Sequence, residues 1–192
     1  MTRLCWRSWL LGVLAVILPS CAHPPPPQPP GANVRADLDR AEDAERHRNH
    51  DLARTEYERA IADASDPDSI SNARREYAET LGTWGETAKA LEVLERGAEL
   101  VPNNAPLWND LGIFYHVAGN DPKALTALEK AKQLAPRDWR PRRQLAMLLV
   151  VMHDYERATV EYRAMLDLDL PERLRAAVHK ALDLLAALPR TS

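Results

Sequence analysis

Ala105-Pro-Leu-Trp108-Asn109-Asp-Leu111-Gly112-Ile-Phe-Tyr115-His-Val-Ala-Gly119-Asn120, followed by Ala124, Leu128, Ala131 and Pro136, has the spacing of a closed helical hairpin. Two antiparallel helices approach closely only where small side chains meet and large ones fill the space beside them. Gly112 and Ala124 are the small residues here; Trp108, Leu111, Tyr115 and Leu128 are the fillers. Gly119 with Asn120 supplies the turn, because glycine enters positive φ at no steric cost. Pro136 lacks the N–H that would continue the second helix, and so ends it. The pattern recurs at 34 residues in both directions: Ala90, Ala124 and Ala158 are in step, as are Leu94, Leu128 and Tyr162, Tyr77, Leu111 and Leu145, and Ala78, Gly112 and Ala146.

A unit of this length, read by Trp108, Leu111-Gly112, Tyr115, Ala124, Leu128, Ala131 and Pro136, resembles the tetratricopeptide (TPR) repeat. The resemblance implies an all-α solenoid of antiparallel helix pairs, with repeats at 71–104, 105–138 and 139–172 closed by Pro102, Pro136 and Pro171. Only the middle repeat is complete. Arg74 and Arg142 stand where it has Trp108, and His153 replaces the turn glycine. Upstream, 34–67 reads as a degenerate repeat: Ala53, Tyr57 and Ala60 match a second helix, Val34, Leu38, Ala41 and Ala44 form a weak stripe, and about three extra residues separate it from the next unit. Downstream, Pro171 opens a helix over 172–188 whose Leu174, Ala177, Val178, Ala181, Leu182 and Leu185 share one face. Such a helix covers the open end of a repeat stack.

The chain's 192 residues, 45% of them apolar, are enough for one core, and seven glycines with few aromatics favour helix over sheet. Residues 1–20 read as a targeting segment: Arg3 and Arg7 precede an apolar run from Trp9 to Leu18 that is shorter than the roughly 20 residues a bilayer-spanning helix needs. Removing that segment takes two arginines and no acid, moving the formal net charge from −3 to −5. Nothing in this balance resembles a nucleic-acid binder.

Leu18-Pro19-Ser20-Cys21 resembles the lipobox of bacterial lipoproteins, with Pro19 where that family has a small residue. The resemblance implies lipidation of Cys21, and Ala22 in place of Asp implies the outer membrane, facing the periplasm. Several acyl chains on one residue anchor stably where one is marginal. Loss of Cys5 with the signal leaves Cys21 alone, so no intramolecular disulfide forms. Residues 21–33 then form a lipidated, proline-rich tether; Pro24 to Pro30 is expected to be extended polyproline II, or else a ligand for a proline-binding domain.

TPR solenoids present a concave surface lined by the first helix of each repeat. Carried over to this chain, its exposed positions are Asn72, Arg75 and Glu79; then Pro106, Asn109, Ile113, His116 and Val117; then Arg140, Arg143, Met147, Val150 and Val151. Leu145 to Met152 is apolar all round. Either the terminal helix folds over that patch as core, or the patch is open and takes an amphipathic helix or apolar extended peptide, with Arg75, Arg140 and Arg143 attracting carboxylates. Glu79 and Asp110 stand where the family's carboxylate clamp has Asn, which argues against chaperone-tail binding.

His47 and His50, with Asp51 beside them, have a spacing that suits metal, but no third ligand is tied to them, and a polar helix end is the simpler reading. No phosphate loop, GxSxG, HExxH or paired-cysteine motif is present. The expectation is therefore no enzyme, cofactor or metal, but a membrane-anchored scaffold that binds a protein or peptide. In architecture it is similar to the pilotins of type IV pilus secretins and the TPR lipoproteins of Flp-type pili. Recruitment or regulation of a peptidoglycan enzyme is a second reading, and small-molecule or metal binding in the periplasm a third.

Overall fold

The computed structural model describes residues 32–188, and among these it is all-helical: α1 (Ala32–Arg46), α2 (His50–Asp63), α3 (Pro67–Thr83), α4 (Thr87–Leu100), α5 (Ala105–Val117), α6 (Asp121–Leu134), α7 (Trp139–Val151), α8 (Tyr155–Leu166) and α9 (Glu172–Ala186). The expected signal segment, Cys21 and nearly all of the tether lie outside the described residues. Helix α1 starts at Ala32, two residues inside the stretch read as tether, because Val34 is already buried and the turn that carries it must be helical. No described helix is long and apolar enough to cross a membrane.

The repeat is set by its turns. Gly85, Gly119 and His153 are 34 residues apart and all have positive φ, at 79°, 75° and 62°. Arg48, at 57°, occupies the same place in the first hairpin, displaced by the three extra residues before α3. After each left-handed residue the next N–H reaches back across the helix end: Asn49 to the Ala44 carbonyl at 2.9 Å, and Glu86 to Leu81, Asn120 to Tyr115 and Asp154 to Leu149 at 2.8 Å each. This closes the carbonyls that a helix leaves open at its end. The side chains of Asn49, Asn120 and Asp154 then accept from the first turn of the following helix. Asp66 caps α3 most completely: its carboxylate accepts from the Asp68 and Ser69 N–H groups at 3.0 Å, the Ser69 hydroxyl accepts from the Asp66 N–H, and Pro67 supplies a preset first turn.

His153 performs a glycine's task with a Cβ, which costs roughly 1–2 kcal/mol in the left-handed region. His153→Gly is expected to stabilise the fold by about 0.5–1 kcal/mol even though it gives up the bond to the Tyr155 hydroxyl. The check is a rise in the thermal midpoint.

Helices pack within hairpins, and each second helix packs on the next first helix. First helices α1, α3, α5 and α7 also approach backbone to backbone in succession, whereas α2, α4, α6 and α8 are spaced further apart and meet through long side chains, as Lys132 of α6 meets Glu161 of α8. Stacking that is tighter on one side curves the array toward that side, so the first helices line its concave face. Small residues make the closest contacts: Ala53, Ala60, Ala73, Ala78, Ala90, Ala124, Ala131, Ala146 and Ala158 are fully buried. Leu38, Tyr57, Leu81, Leu94, Leu107 and Leu111 fill the main core, which extends through Leu128, Leu145 and Leu149 to Met165 and Val178.

Helix α9 settles which of the two expected dispositions of the chain's end holds. It lies against α8, with Val178 buried beside Met165 and Leu170, and with Leu174 and Leu182 packed on the same cluster as Trp139 and Tyr162. Arg175 donates to the carbonyls of Leu166 at 3.0 Å and Leu168 at 3.3 Å, tying α9 to the end of α8. Only Leu185 reaches the cluster that holds Leu145, Leu148 and Leu149. The terminal helix therefore stacks as the next layer and does not fold into the concave face.

Candidate functional site

The residues expected at the groove come from α3, α5 and α7, three neighbouring first helices. The 34-residue period sets them in rows across these helices. Glu79, Ile113 and Met147 make one row, and Thr83, Val117 and Val151 the next. Along both rows the surface passes from polar to apolar. Val117 is 63% exposed, Val151 54% and Met147 45%, while Val150 and Ile113 are half-buried. Helix α7 is thus split by face: Leu145, Ala146, Leu148 and Leu149 are core, whereas Met147, Val151 and Met152 meet solvent. Together with Val117 on α5, these side chains make the concave face apolar at its α7 end.

Charge at the groove is distributed differently from the expectation. The Nε of Arg75 donates to the Asp110 carboxylate at 2.6 Å, across α3 and α5, so its charge is already matched. Asp110 also accepts from the Asn109 amide at 3.1 Å, leaving the buried Asn109 Oδ1 without a partner. Arg140 is held by Asp138 at the start of its own helix, with Nη2 to Oδ2 at 2.8 Å. Against the upward push of burial, these bonds keep the Asp138 carboxyl below its ordinary pKa and lift that of Arg140. Arg143 is exposed and makes no ion pair among the described residues. Of the three arginines expected to attract carboxylates, Arg143 is the uncommitted one. The sequence reasoning missed Asp110 as the partner of Arg75; its signal was the 35-residue separation, one turn position away from the repeat period.

His116 also has a partner: Nδ1 lies 2.6 Å from Asp121 Oδ1 at the first residue of α6. On the other side of the hairpin, burial and then the bond to Glu95 push the Tyr115 hydroxyl up to about 12. The histidine pair weighed as a metal site is not brought together. His47 Nδ1 lies 2.8 Å from the Asp43 carbonyl, and His50 stacks on Trp84 with ring centroids 4.6 Å apart. Trp108, the signature residue of the middle repeat, donates its indole N–H to the Pro102 carbonyl at 2.8 Å and so locks the loop between α4 and α5.

No family model matches the chain, and no curated protein matches it. Solved structures do. The MamA protein matches over 81% of this chain and 81% of its own, at 17% identity and a TM-score of 0.64. Pseudomonas aeruginosa PilF matches over 79% of this chain and 72% of its own, at 18% identity and a TM-score of 0.60. The Yersinia enterocolitica type III secretion chaperone SycD, solved with a peptide of the translocator YopD, matches over 64% of this chain and 95% of its own, at 15% identity and a TM-score of 0.57.

The fold is a TPR-type solenoid. Identities this low carry the architecture and no more. In this solenoid the concave surface is formed by the exposed faces of α3, α5 and α7, with its apolar end at α7.

Proposed function

We propose that this solenoid is a lipid-anchored, periplasm-facing scaffold that binds a protein segment in its concave groove, serving assembly of an envelope machine such as a pilus or secretin. The observation that carries the binding reading is the open apolar patch of Val117, Met147 and Val151 beside Arg143, which has no ion-pair partner among the described residues. A peptide offering apolar side chains and a carboxylate complements both features. That a similar fold, SycD, was solved in complex with a peptide supports a peptide as the kind of partner. The anchor rests on the lipobox-like Leu18 to Cys21, and the envelope role on the likeness to pilus-associated TPR lipoproteins.

The test is a crosslinking pull-down from native membranes comparing wild type with Met147→Glu/Val151→Glu. Two carboxylates set in an apolar contact cost about 2 kcal/mol or more, roughly 30-fold in affinity. Because both side chains are solvent-exposed, helicity should be unchanged. Loss of a captured secretin or pilus component in the variant is the expected result, and recovery of the same partners from both proteins would refute the groove. In the same experiment Cys21→Ala should leave the protein uncleaved or soluble; unchanged mass and membrane retention would refute the anchor.

A further inference from the structure

On the opposite side of the solenoid, where the second helices lie, α2, α3 and α4 flank an open cleft of about 480 Å³. Ile61, Tyr77, Leu81 and Val93 line it with apolar surface, and the side chain of Arg74 lies in its wall. Arg74 is only 8% exposed. It reaches this depth because it passes over Gly97, where a Cβ would lie 2.9 Å from the Arg74 Cδ. Its one recorded hydrogen bond is a long one, Nη1 to the Ile70 carbonyl at 3.3 Å, and it forms no ion pair among the described residues. Burial, and then the charge of Arg96, push its pKa down, yet a guanidinium stays protonated at any physiological pH. Its other guanidinium nitrogens still meet solvent in the cleft, so the charge is reachable from outside while having no counter-charge among the described residues.

The repeat itself shows what is absent. Thirty-four residues apart, Arg74, Trp108 and Arg142 occupy one position, and Val93, Ala127 and Glu161 another. In the third repeat Arg142 donates to Glu161 at 2.8 Å, so the arginine there has a buried carboxylate from the second helix of its own hairpin. In the first full repeat the residue in that place is Val93, which lines the cleft. The other charges around the cleft are largely settled. Glu86 holds Arg54 at 2.9 Å and Lys89 at 2.5 Å, and Glu99 holds Arg96 at 2.6 Å. Glu58 and Glu92, exposed at the wall, disfavour a ligand of high negative charge.

We infer that this cleft is a binding site for a monocarboxylate carried on an apolar body, its carboxylate taking beside Arg74 the place that Glu161 takes beside Arg142. A free acid and the C-terminus of a peptide present the same chemistry to Arg74. The site is separate from the groove on the first-helix face, so it stands whether or not that groove binds a partner.

The experiment follows the arginine Nε–Hε resonances of the folded protein by NMR during titration with two probes: benzoate as a free acid, and N-acetyl-Leu-Phe as a peptide terminus. Saturable shifts at Arg74 with at least one probe are expected, and the tighter probe identifies the source. Two variants test the assignment, using backbone amide shifts and calorimetry as the readout. Arg74→Leu removes the cation, and Val93→Glu installs the carboxylate that the third repeat already has. Each is expected to weaken binding at least tenfold while keeping the helical spectrum; Arg74→Met, which keeps an unbranched apolar stem over Gly97 while removing the charge, substitutes for either one that fails to fold. No saturable shift with either probe, or unchanged affinity in a folded Arg74→Leu or Val93→Glu protein, would overturn the site.

Discussion

Gly112→Trp is expected to abolish cooperative folding of the solenoid. A Cβ on Gly112 would lie 2.4 Å from Leu128 Cγ and 2.6 Å from its Cδ2, with the Ala124 carbonyl oxygen at 3.3 Å. Leu128 is only 2% exposed, wedged between α5 and α6, and it bridges toward the cluster holding Leu145 and Leu149. It has nowhere to turn. Even Gly112→Ala is expected to cost about 1–3 kcal/mol, the usual penalty of overpacking a filled core. An indole cannot be accommodated without parting the two helices, and the loss then exceeds much of the roughly 5–15 kcal/mol by which a domain is stable. Gly82 offers a contrast. A Cβ there would meet the ring edge of Phe114 at 2.8 Å, but Phe114 is half-buried and has room to shift, so Gly82→Ala should cost less than Gly112→Ala. Thermal unfolding followed by circular dichroism measures all three, and an unchanged midpoint for Gly112→Trp would contradict the helix contact described.

Glu161→Leu is expected to produce the largest loss among the charged positions, about 2–4 kcal/mol. Glu161 is 8% exposed and accepts from Lys132 at 2.6 Å and from Arg142 at 2.8 Å. Both cations are mostly buried, with side chains 24% and 21% exposed, and the Arg142 Nε already lacks a partner. Removing the shared carboxylate leaves two positive charges facing each other in a poorly solvated space, and breaking a buried pair from one side typically costs 3–5 kcal/mol. The residual exposure places this case at or below the lower part of that range. Replacing all three by apolar residues, as Glu161→Leu/Lys132→Met/Arg142→Met, should recover most of the loss, because no charge is then stranded. Urea unfolding with an unchanged slope distinguishes this from a change in compactness. If the single variant were as stable as wild type, the triad would be making no net contribution.

Much of the fold was legible because TPR packing is local. Each hairpin closes within 34 residues, so the small residues, fillers and turn residues must recur along the chain. Gly85, Gly119 and His153 carry the same left-handed turn for that reason, and the three-residue offset at Arg48 follows the three extra residues counted upstream. His153 was readable only as a departure from glycine; that it still enters positive φ follows from the hairpin, which demands the turn whatever side chain is present. The all-α solenoid with a helix closing its C-terminal end followed from the same periodicity.

The candidate groove was legible only in part. Position within the repeat told which side chains leave the first helices, and Val117, Met147 and Val151 are indeed solvent-exposed. It did not tell which charges were spoken for, since Arg75 with Asp110 and Arg140 with Asp138 depend on how neighbouring helices and their caps are set.

The helix pairs, their turns and the small residues at their closest contacts were all written in the chain, because those interactions lie within a single repeat and must be spelled out again in each one. It took the packed helices to show that α9 stacks beyond α8 and leaves α7 open, and that Arg74 is buried without the counter-charge that Arg142 has. Both depend on contacts between elements whose relative placement no local pattern encodes: the same greasy face of α9 would have satisfied either position, and only the packing of Val178, Leu174 and Leu182 beside Met165 and Trp139 chose between them.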